Sequence, residues 1–149
     1  MINDNLKLRG DVALVLKDKN GNIKESREIN NLVVTAGLTF ICARMAAASA
    51  NVMSHMALGS STTAAAAGQT DLVSILGSRE ALDSTSASAN TIAYVSSFEA
   101  GEGTGAVVEA GVFNAASSGT MLCRTVFPVV NKQADDTMSV TWTITLSAS

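Results

Sequence analysis

The stretch Met138–Leu146, MSVTWTITL, predicts the architecture of the whole chain. Apolar and polar residues alternate strictly along it, and this period of two is typical of a strand with one buried face. Trp142, the only tryptophan of the sequence, stands at the centre of the apolar series. Because such a strand needs neighbouring strands and a second layer to bury its apolar face, the stretch predicts a β-sheet protein with a layered core.

The composition bounds the size and the nature of that core. A length of 149 residues is typical of one domain, so we predict a single domain over residues 1–149. Apolar residues make up 47% of the sequence and aromatic residues 4%, so the core has to consist mainly of aliphatic side chains and methionine. Charged residues make up 15%, below the roughly 25% of ordinary soluble domains. Either other subunits cover much of the surface, or Ser, Thr, Asn and Gly supply its polarity.

Charge and cysteine usage exclude several classes of protein. A net charge of −3 without a Lys/Arg cluster disfavours binding to nucleic acid, which needs cations to contact phosphates. Cys42 and Cys123 each lie in an apolar run, which favours buried free thiols over a disulfide. The sequence Met1–Gly10 lacks the apolar region of a signal peptide, and no segment has the roughly 18 apolar residues of a membrane helix. We therefore expect a soluble protein made in the cytoplasm, with no membrane partner.

The N-terminal part of the chain predicts two strands that form a hairpin. Apolar residues begin to alternate with polar ones at Leu6, and Gly10 interrupts the pattern, which favours a bulge. Asn20 and Gly21 both tolerate a positive φ angle and predict a tight turn. A returning strand is expected over Ile23–Val34.

Two helices are predicted next. Apolar residues at helical spacing indicate an α-helix near residues 35–48, with Thr35 as its cap. A short helix is expected near residues 70–76, where Thr70 or Asp71 precedes an apolar run that ends before a glycine.

The remainder of the chain predicts antiparallel strands that end with the tryptophan strand. A weak strand is expected over Arg79–Ser84, followed by a Ser/Ala loop and then by strands over Thr91–Phe98, Ala106–Phe113 and Met121–Phe127. Turn residues recur every 8–12 positions, a spacing typical of a sandwich or barrel. The predicted fold is mainly β, an antiparallel β-sandwich of jelly-roll type with one helix near 35–48 and a short one near 70–76.

The residues that could form a catalytic, metal or phosphate site lack the additional groups that such a site needs. His55 is the only histidine, and a base or a zinc site requires further groups beside it. Asp18-x-Asn20-x-Asn22 begins like a calcium loop, but its sixth position is Ile23 where the turn needs Gly and its twelfth is Ile29 where the ligand is Glu. The glycines of the stretch Gly101–Gly105 lack the spacing and the lysine of a phosphate loop. We predict no catalytic residues, no metal site and no cofactor.

An acidic group and one arginine are predicted to have structural roles. Glu99, Glu102 and Glu109 could serve a glycosidase as paired carboxylates, but the chain has few aromatic residues to stack against a sugar. An acidic rim, solvated or at an interface, is the alternative. Arg124 interrupts an apolar strand and could pair with Glu109 of a neighbouring strand, so the pair is predicted to bridge either two strands or two subunits.

Several blocks of the sequence resemble small virion structural proteins of tailed bacteriophages. They include MALGSSTTAAAAGQTDL (56–72), LGSREAL (76–82) and VVEAGVFNAASSGTMLCRTVFPVVNKQADDTMSVTWTITL (107–146). The hairpin GDVALVLKDKNGNI (10–23) and the helix NLVVTAGLTFICARMA (31–46) also look like that group. The resemblance covers nearly the whole chain and contains no catalytic signature.

The resemblance implies a non-enzymatic protein with one of two roles. A capsid decoration, or cement, protein sits on the outer surface of the head, binds the major capsid protein and bridges neighbouring capsomers, often as a homotrimer. A tail-fibre or tail-adaptor component is the alternative, and the block EAGVFN…GTMLCR is similar to the collar portions of fibre proteins. The chain is short and has no repetitive shaft, which favours the decoration protein.

Eight residues are predicted to lie at interfaces. Residues 1–9 are expected to form an arm that reaches a neighbouring subunit, since an ordered polar terminus usually needs a partner. Thr141 and Thr143 lie on the polar face of the tryptophan strand, where an exposed strand would more often carry Lys or Glu. We predict that another subunit or a second layer covers this face. The predicted interface residues are Met1, Ile2, Leu6, Arg9, Glu109, Arg124, Thr141 and Thr143.

Overall fold

A computed structural model describes residues 5–47 and 50–148 of the chain. The protein is mainly β, with 54% of its residues in strands and 8% in helix, and its strands form two antiparallel sheets. The predicted β-sandwich is confirmed. In chain order, the elements of the described residues are β1 (Leu6–Lys17), β2 (Ile23–Asn30), β3 (Leu32–Val33), α1 (Thr35–Ala46), β4 (His55–Gly59), β5 (Glu80–Ala81), β6 (Ser84–Ser88), β7 (Thr91–Phe98), β8 (Gly105–Phe113), β9 (Met121–Lys132) and β10 (Thr137–Ala148).

The two sheets are built from strand pairs that alternate between them. Sheet A has the strand order β2-β1-β10-β7-β6, and sheet B has the order β3-β9-β8-β4-β5. The chain changes sheet after β2, β5, β7 and β9, so most consecutive strands first pair within one sheet. The tryptophan strand, β10, lies at the centre of sheet A between β1 and β7.

The core lies between the sheets and is organised around β10. Met138, Val140, Trp142 and Ile144 are buried, as their alternation predicts. Aliphatic side chains of β1 flank them, and apolar side chains of sheet B face them across the core. The flanking and facing residues include Val12, Leu14, Leu16, Met56, Leu58, Val107, Val112 and Phe127. Burial of each large apolar side chain contributes about 1.5–3 kcal/mol, so this cluster provides much of the driving force for folding.

Gly10 does not mark a bulge, because β1 and β10 pair in continuous register through Gly10 and Ile144. A Cβ atom on Gly10 would instead overlap the side-chain amide of Asn31. The Asn31 N–H donates to the Gly10 carbonyl at 3.2 Å. At Asn31 the predicted strand Ile23–Val34 divides into β2 and β3, and the chain passes from sheet A to sheet B. The glycine therefore makes room for this crossing.

The predicted helix near residues 35–48 is present as α1, with different ends. Its N-cap is Val34, which makes no side-chain hydrogen bond to the helix, so the prediction that Thr35 caps it is wrong. Thr35 is the first helical residue, and its N–H donates to the Ala67 carbonyl at 2.8 Å. α1 ends at Ala46, and residue 48 lies outside the described residues.

The predicted short helix near residues 70–76 is wrong, because these residues follow an irregular path. The N–H groups of Val73 and Ser74 donate to the carboxylate of Glu109 at 3.1 and 2.8 Å. These donors are therefore committed to a side chain of sheet B. Local sequence favours a helix here, and a distant carboxylate overrides that preference.

Other element boundaries also differ from those predicted from the sequence. Residues 6–9 of the predicted arm belong to β1 and pair with β10, while residues 1–4 lie outside the described residues. The Ser/Ala stretch predicted as a loop forms β6. β9 continues through Pro128 to Lys132, and Pro128 is exposed within it.

Replacing Gly37 by alanine is expected to destabilise the protein, although Gly→Ala in a helix normally stabilises by up to about 1 kcal/mol. A Cβ at position 37 would lie 2.1 Å from the Leu122 carbonyl oxygen, so α1 would have to move away from β9. Overpacking of this kind costs about 1–3 kcal/mol, measurable by urea unfolding. Gly68→Ala is the control, because nothing lies within 4 Å of a Cβ there. A stabilised Gly37→Ala variant would contradict the close packing of α1 on β9.

Candidate interaction surfaces

The outer face of sheet A, turned away from the core, is built from small side chains. Thr141 lies at its centre, directly between Ala13 of β1 and Val95 of β7. Thr143 lies in the next row of the same face, and Ser84 and Ser86 of β6 continue these rows to the edge. We define the outer face as Ala13, Val15, Ser84, Ser86, Ala93, Val95, Ser97, Ser139, Thr141 and Thr143.

The outer face is uncharged, and the described chain does not cover it. Each of its ten side chains is exposed or half-buried. The second layer predicted over Thr141 and Thr143 is not supplied by residues 5–47 or 50–148. Charged residues border it on the β2 side: Asp11 lies directly opposite Thr143, Glu28 lies opposite Ala13, and Arg9 Nε is 2.9 Å from Asp11 Oδ2. An exposed ion pair of this kind contributes at most about 1 kcal/mol to stability.

A buried ion pair between Arg124 of β9 and Glu109 of β8 lies on the other side of sheet B from the core. Arg124 Nε donates to Glu109 Oε2 at 2.9 Å, and Nη2 lies 2.7 Å from the same oxygen outside hydrogen-bonding geometry. Both side chains are 0% exposed. Nη1 donates to the Thr63 carbonyl at 2.9 Å and to Gln69 Oε1 at 3.1 Å, whereas Nη2 has no hydrogen-bond partner among the described residues.

The ion pair holds residues 60–79, which we call the covering segment, against sheet B. Glu109 accepts hydrogen bonds from the backbone N–H groups of Ser61, Val73 and Ser74 at 3.2, 3.1 and 2.8 Å. Gly59 permits this arrangement, because a Cβ there would lie 2.5 Å from Glu109 Oε1. The covering segment lacks regular secondary structure, and its hydrogen bonds to this carboxylate hold it in place instead.

Of the two roles predicted for Arg124 and Glu109, the structure shows the contact between strands of one chain. Their complete burial under the covering segment removes both side chains from the surface, so in this structure they do not form part of an exposed interface. A buried charge pair is costly to desolvate, and it is stabilising when its remaining hydrogen-bonding groups find partners. The backbone partners from the covering segment meet that requirement for the Glu109 carboxylate, whereas Nη2 of Arg124 makes no hydrogen bond.

A second arginine, Arg79, anchors the end of the covering segment. This role was not predicted from the sequence. Its Nη1 donates to the carbonyls of Ala115 and Ser118 at 3.0 and 2.7 Å. Its guanidinium carbon lies 3.7 Å from the centre of the Phe113 ring. A stacked arginine that caps carbonyls has no local sequence signature, because its partners lie about 35–40 positions away.

Lys132 and Asp136 form a third polar cluster at the β9–β10 turn. Lys132 Nζ donates to the Glu99 and Asp136 carbonyls at 2.9 and 2.7 Å. Burial lowers the pKa of Lys132 from its usual value, against the opposing effect of nearby carboxylates. Lys24 Nζ donates to Asp136 Oδ2 at 2.7 Å, and this bond lowers the pKa of the Asp136 carboxyl. The cluster fixes the turn that leads into the tryptophan strand.

The candidate catalytic and metal-ligating residues have local structural partners. His55 Nδ1 lies 2.8 Å from the Ser54 hydroxyl. Asp18 accepts the N–H groups of Asn20 and Asn22 at 2.9 and 3.0 Å, and the bond from Asn22 is the main cause of its lowered pKa. Within residues 5–47 and 50–148, no group of three or more His, Cys, Asp or Glu side chains is placed to hold a metal ion.

The acidic residues do not form one group. Glu102 accepts the backbone N–H of Glu99 at 2.8 Å in an exposed turn, whereas Glu109 is committed to Arg124. The structure therefore does not bring Glu109 together with Glu99 and Glu102 as a carboxylate pair.

The two cysteines are free, as predicted, but they differ in exposure. Cys123 is buried, and burial raises the pKa of its thiol well above the usual value. Cys42 on α1 is exposed, so the prediction that both thiols are buried is wrong for this one. The apolar run around Cys42 belongs to a helix of which one side faces solvent.

The residues predicted to form the arm are described only in part. Met1 and Ile2 lie outside the described residues. Leu6 is 71% exposed at the start of β1, and Arg9 lies on the same strand beside Asp11. Leu6 is thus available to a neighbouring molecule.

Comparisons of the chain with models of known protein families, with curated proteins and with solved structures find no match. Among the described residues, no helix is long and apolar enough to cross a membrane. Any assignment of function therefore depends on the surfaces of the protein and on the resemblance of its sequence.

Proposed function

We propose that the protein is a non-enzymatic structural component of a tailed-phage virion, a capsid decoration protein. It binds the major capsid protein on the outer surface of the head and bridges neighbouring capsomers as a homo-oligomer. The sequence resemblance suggests the class of protein. The single observation that carries the proposal is the outer face of sheet A, which is broad, uncharged and uncovered by the described chain.

The chemistry of the outer face suits contact with another protein. Charged residues are depleted at the centre of protein interfaces, because a charge that loses its water without finding a partner is costly. Thr141 and Thr143 present a hydroxyl and a methyl group each, so they can pack closely and still form hydrogen bonds. Small side chains such as Ala13 and Ala93 let a partner approach the sheet over its full width.

The size of the outer face favours several copies acting together. The outer face spans four strands spaced about 4.8 Å apart over a length of about five residues, which gives an area on the order of 300 Å². One such contact is at the weak end of specific interfaces, which typically bury about 800 Å² on each partner. In a homo-oligomer, the second and third contacts form at high effective concentration and raise the overall affinity.

Stabilisation of the shell then follows from mass action. A protein that binds the assembled shell better than free capsid subunits shifts the equilibrium towards assembly. The two anchored arginines favour this role, since a covering segment fixed by Arg79 and Arg124 keeps the protein rigid when it spans a junction.

The experiment that tests the proposal is quantitative mass spectrometry of purified virions, with heads separated from tails. A decoration protein is expected in the head fraction, in a copy number comparable with that of the major capsid protein. A few copies confined to the tail fraction would replace this proposal with the tail-fibre or tail-adaptor role. Absence from both fractions would overturn the assignment to the virion.

A further inference from the structure

Among the described residues, no strand pairs with the outer side of β6, which leaves it as an open edge of sheet A. Its sequence, Ser84-Thr-Ser-Ala-Ser88, has no charge and no proline, and all five residues are exposed. Unpaired strand edges are open to pairing with another chain, so proteins usually protect them with charges, bulges or very short strands. The other edges of the described sheets have such protection, since β2 is highly charged and β3 and β5 contain two residues each.

An apolar groove lies directly beside β6, on the core-facing side of sheet A. Thr85 of β6 and Ile92 and Tyr94 of β7 line one side of it, and Phe40 and Met45 of α1 line the other. Met45 is 83% exposed. Val52, at the end of the groove, is 60% exposed. A hydrogen-bonding edge next to an apolar groove is the arrangement that accepts an added strand.

We propose that a second copy of this chain pairs with β6, edge to edge and antiparallel, about a two-fold axis at Ser86. The two sheets A then form one continuous sheet of ten strands, and the exposed apolar side chains beside the two β6 strands are brought together. A two-fold contact of this kind uses the same surface on both partners.

The sequence of β6 is compatible with pairing to itself. With all five residues overlapping, Ser86 lies opposite Ser86 and Ser84 lies opposite Ser88, so no like charges meet. The same pairing of β2 would place Glu25 opposite Glu28, which is unfavourable. Charge therefore permits self-pairing at β6 and opposes it at β2.

The expected contact is specific but weak. Five residues extend about 17 Å, so the paired edges alone bury less than the roughly 1,200 Å² of small stable interfaces. The grooves add apolar area, because Met45 and Val52 of each copy lie next to the joint. Dimers should therefore form at high protein concentration and dissociate on dilution. This inference does not rest on the proposed function, since the isolated protein suffices to test it.

Charge variants at Ser86 test the two-fold axis directly by analytical ultracentrifugation. Ser86→Lys alone and Ser86→Glu alone are expected to be monomers, because like charges would face each other. An equimolar mixture is expected to form dimers, because Lys then faces Glu. Ser26→Lys on β2, at the opposite edge of sheet A, is the control, and it should dimerise like the wild type.

The inference fails if the wild-type protein stays monomeric at high concentration or forms trimers without dimers. It also fails if the Ser86→Lys variant still dimerises, or if the mixture of the two variants stays monomeric. Circular dichroism establishes that each variant is folded. Should Ser86→Lys fail to fold, Met45→Ser serves instead, and its dimers should dissociate at a higher concentration than those of the wild type; unchanged dissociation would count against the proposal.

Discussion

Replacing Glu109 by alanine is expected to lower the free energy of unfolding by about 3–5 kcal/mol, because Arg124 would remain as a buried charge without a counter-ion. The backbone donors of Val73 and Ser74 would also lose their acceptor. The loss should appear first in the covering segment. Urea unfolding measures the global effect, and limited proteolysis at the apolar residues Leu72 and Val73 measures the local one.

Two further variants separate the ion pair from a general effect of losing a carboxylate. Glu28→Ala removes an exposed carboxylate and should change stability by less than about 0.5 kcal/mol. The double variant Glu109→Met with Arg124→Met should be more stable than Glu109→Ala, since it leaves no buried charge. If Glu109→Ala unfolds at the same urea concentration as Glu28→Ala, the ion pair does not hold the covering segment.

Substitution of both Thr141 and Thr143 by lysine is expected to weaken binding to the capsid shell by at least about 100-fold. Each lysine would place a charge in the centre of the proposed contact, and a cost of about 1.4 kcal/mol per charge gives a factor of ten for each. The folded protein itself should tolerate the change, because both side chains are half-buried and can extend into solvent. Co-sedimentation with capsids that lack the protein measures the affinity.

The matched control for the lysine variant is the double substitution Thr141→Ser with Thr143→Ser. It keeps both hydroxyls and adds no charge, so binding should stay within a few-fold of the wild type. Unchanged binding of the lysine variant would show that solvent, and not a capsid protein, covers the outer face. The dimer contact at β6 should be insensitive to the lysines at positions 141 and 143, since they lie on the central strand of sheet A.

The tryptophan strand shows what could be predicted from sequence alone. Its period of two reports which side of a strand is buried, and Met138 to Ile144 are buried as that pattern requires. The short helix near 70–76 shows the limit of such reasoning. Its local pattern is helical, but Val73 and Ser74 donate hydrogen bonds to Glu109, which lies on a strand about 35 positions away, and local sequence does not contain that information.

The candidate site was predictable to a similar degree. Alternation along β9 placed Arg124 on the side opposite Cys123, and charge suggested Glu109 as its partner; the structure has that pair. The pattern could not distinguish a contact within the chain from one between subunits, because a polar residue in a strand has the same sequence pattern in both cases. In the structure the covering segment buries the pair, so the contact lies within the chain. β6 was missed because Ser and Ala have low strand propensity, and its pairing with β7 determines its structure.

Cryo-electron microscopy of intact virions would locate this chain and show whether the outer face of sheet A contacts a phage head. We expect density for the chain over the whole head, with Thr141 and Thr143 facing the major capsid protein. Density for the chain at a single vertex, or an outer face that points into solvent, would rule out the proposed contact.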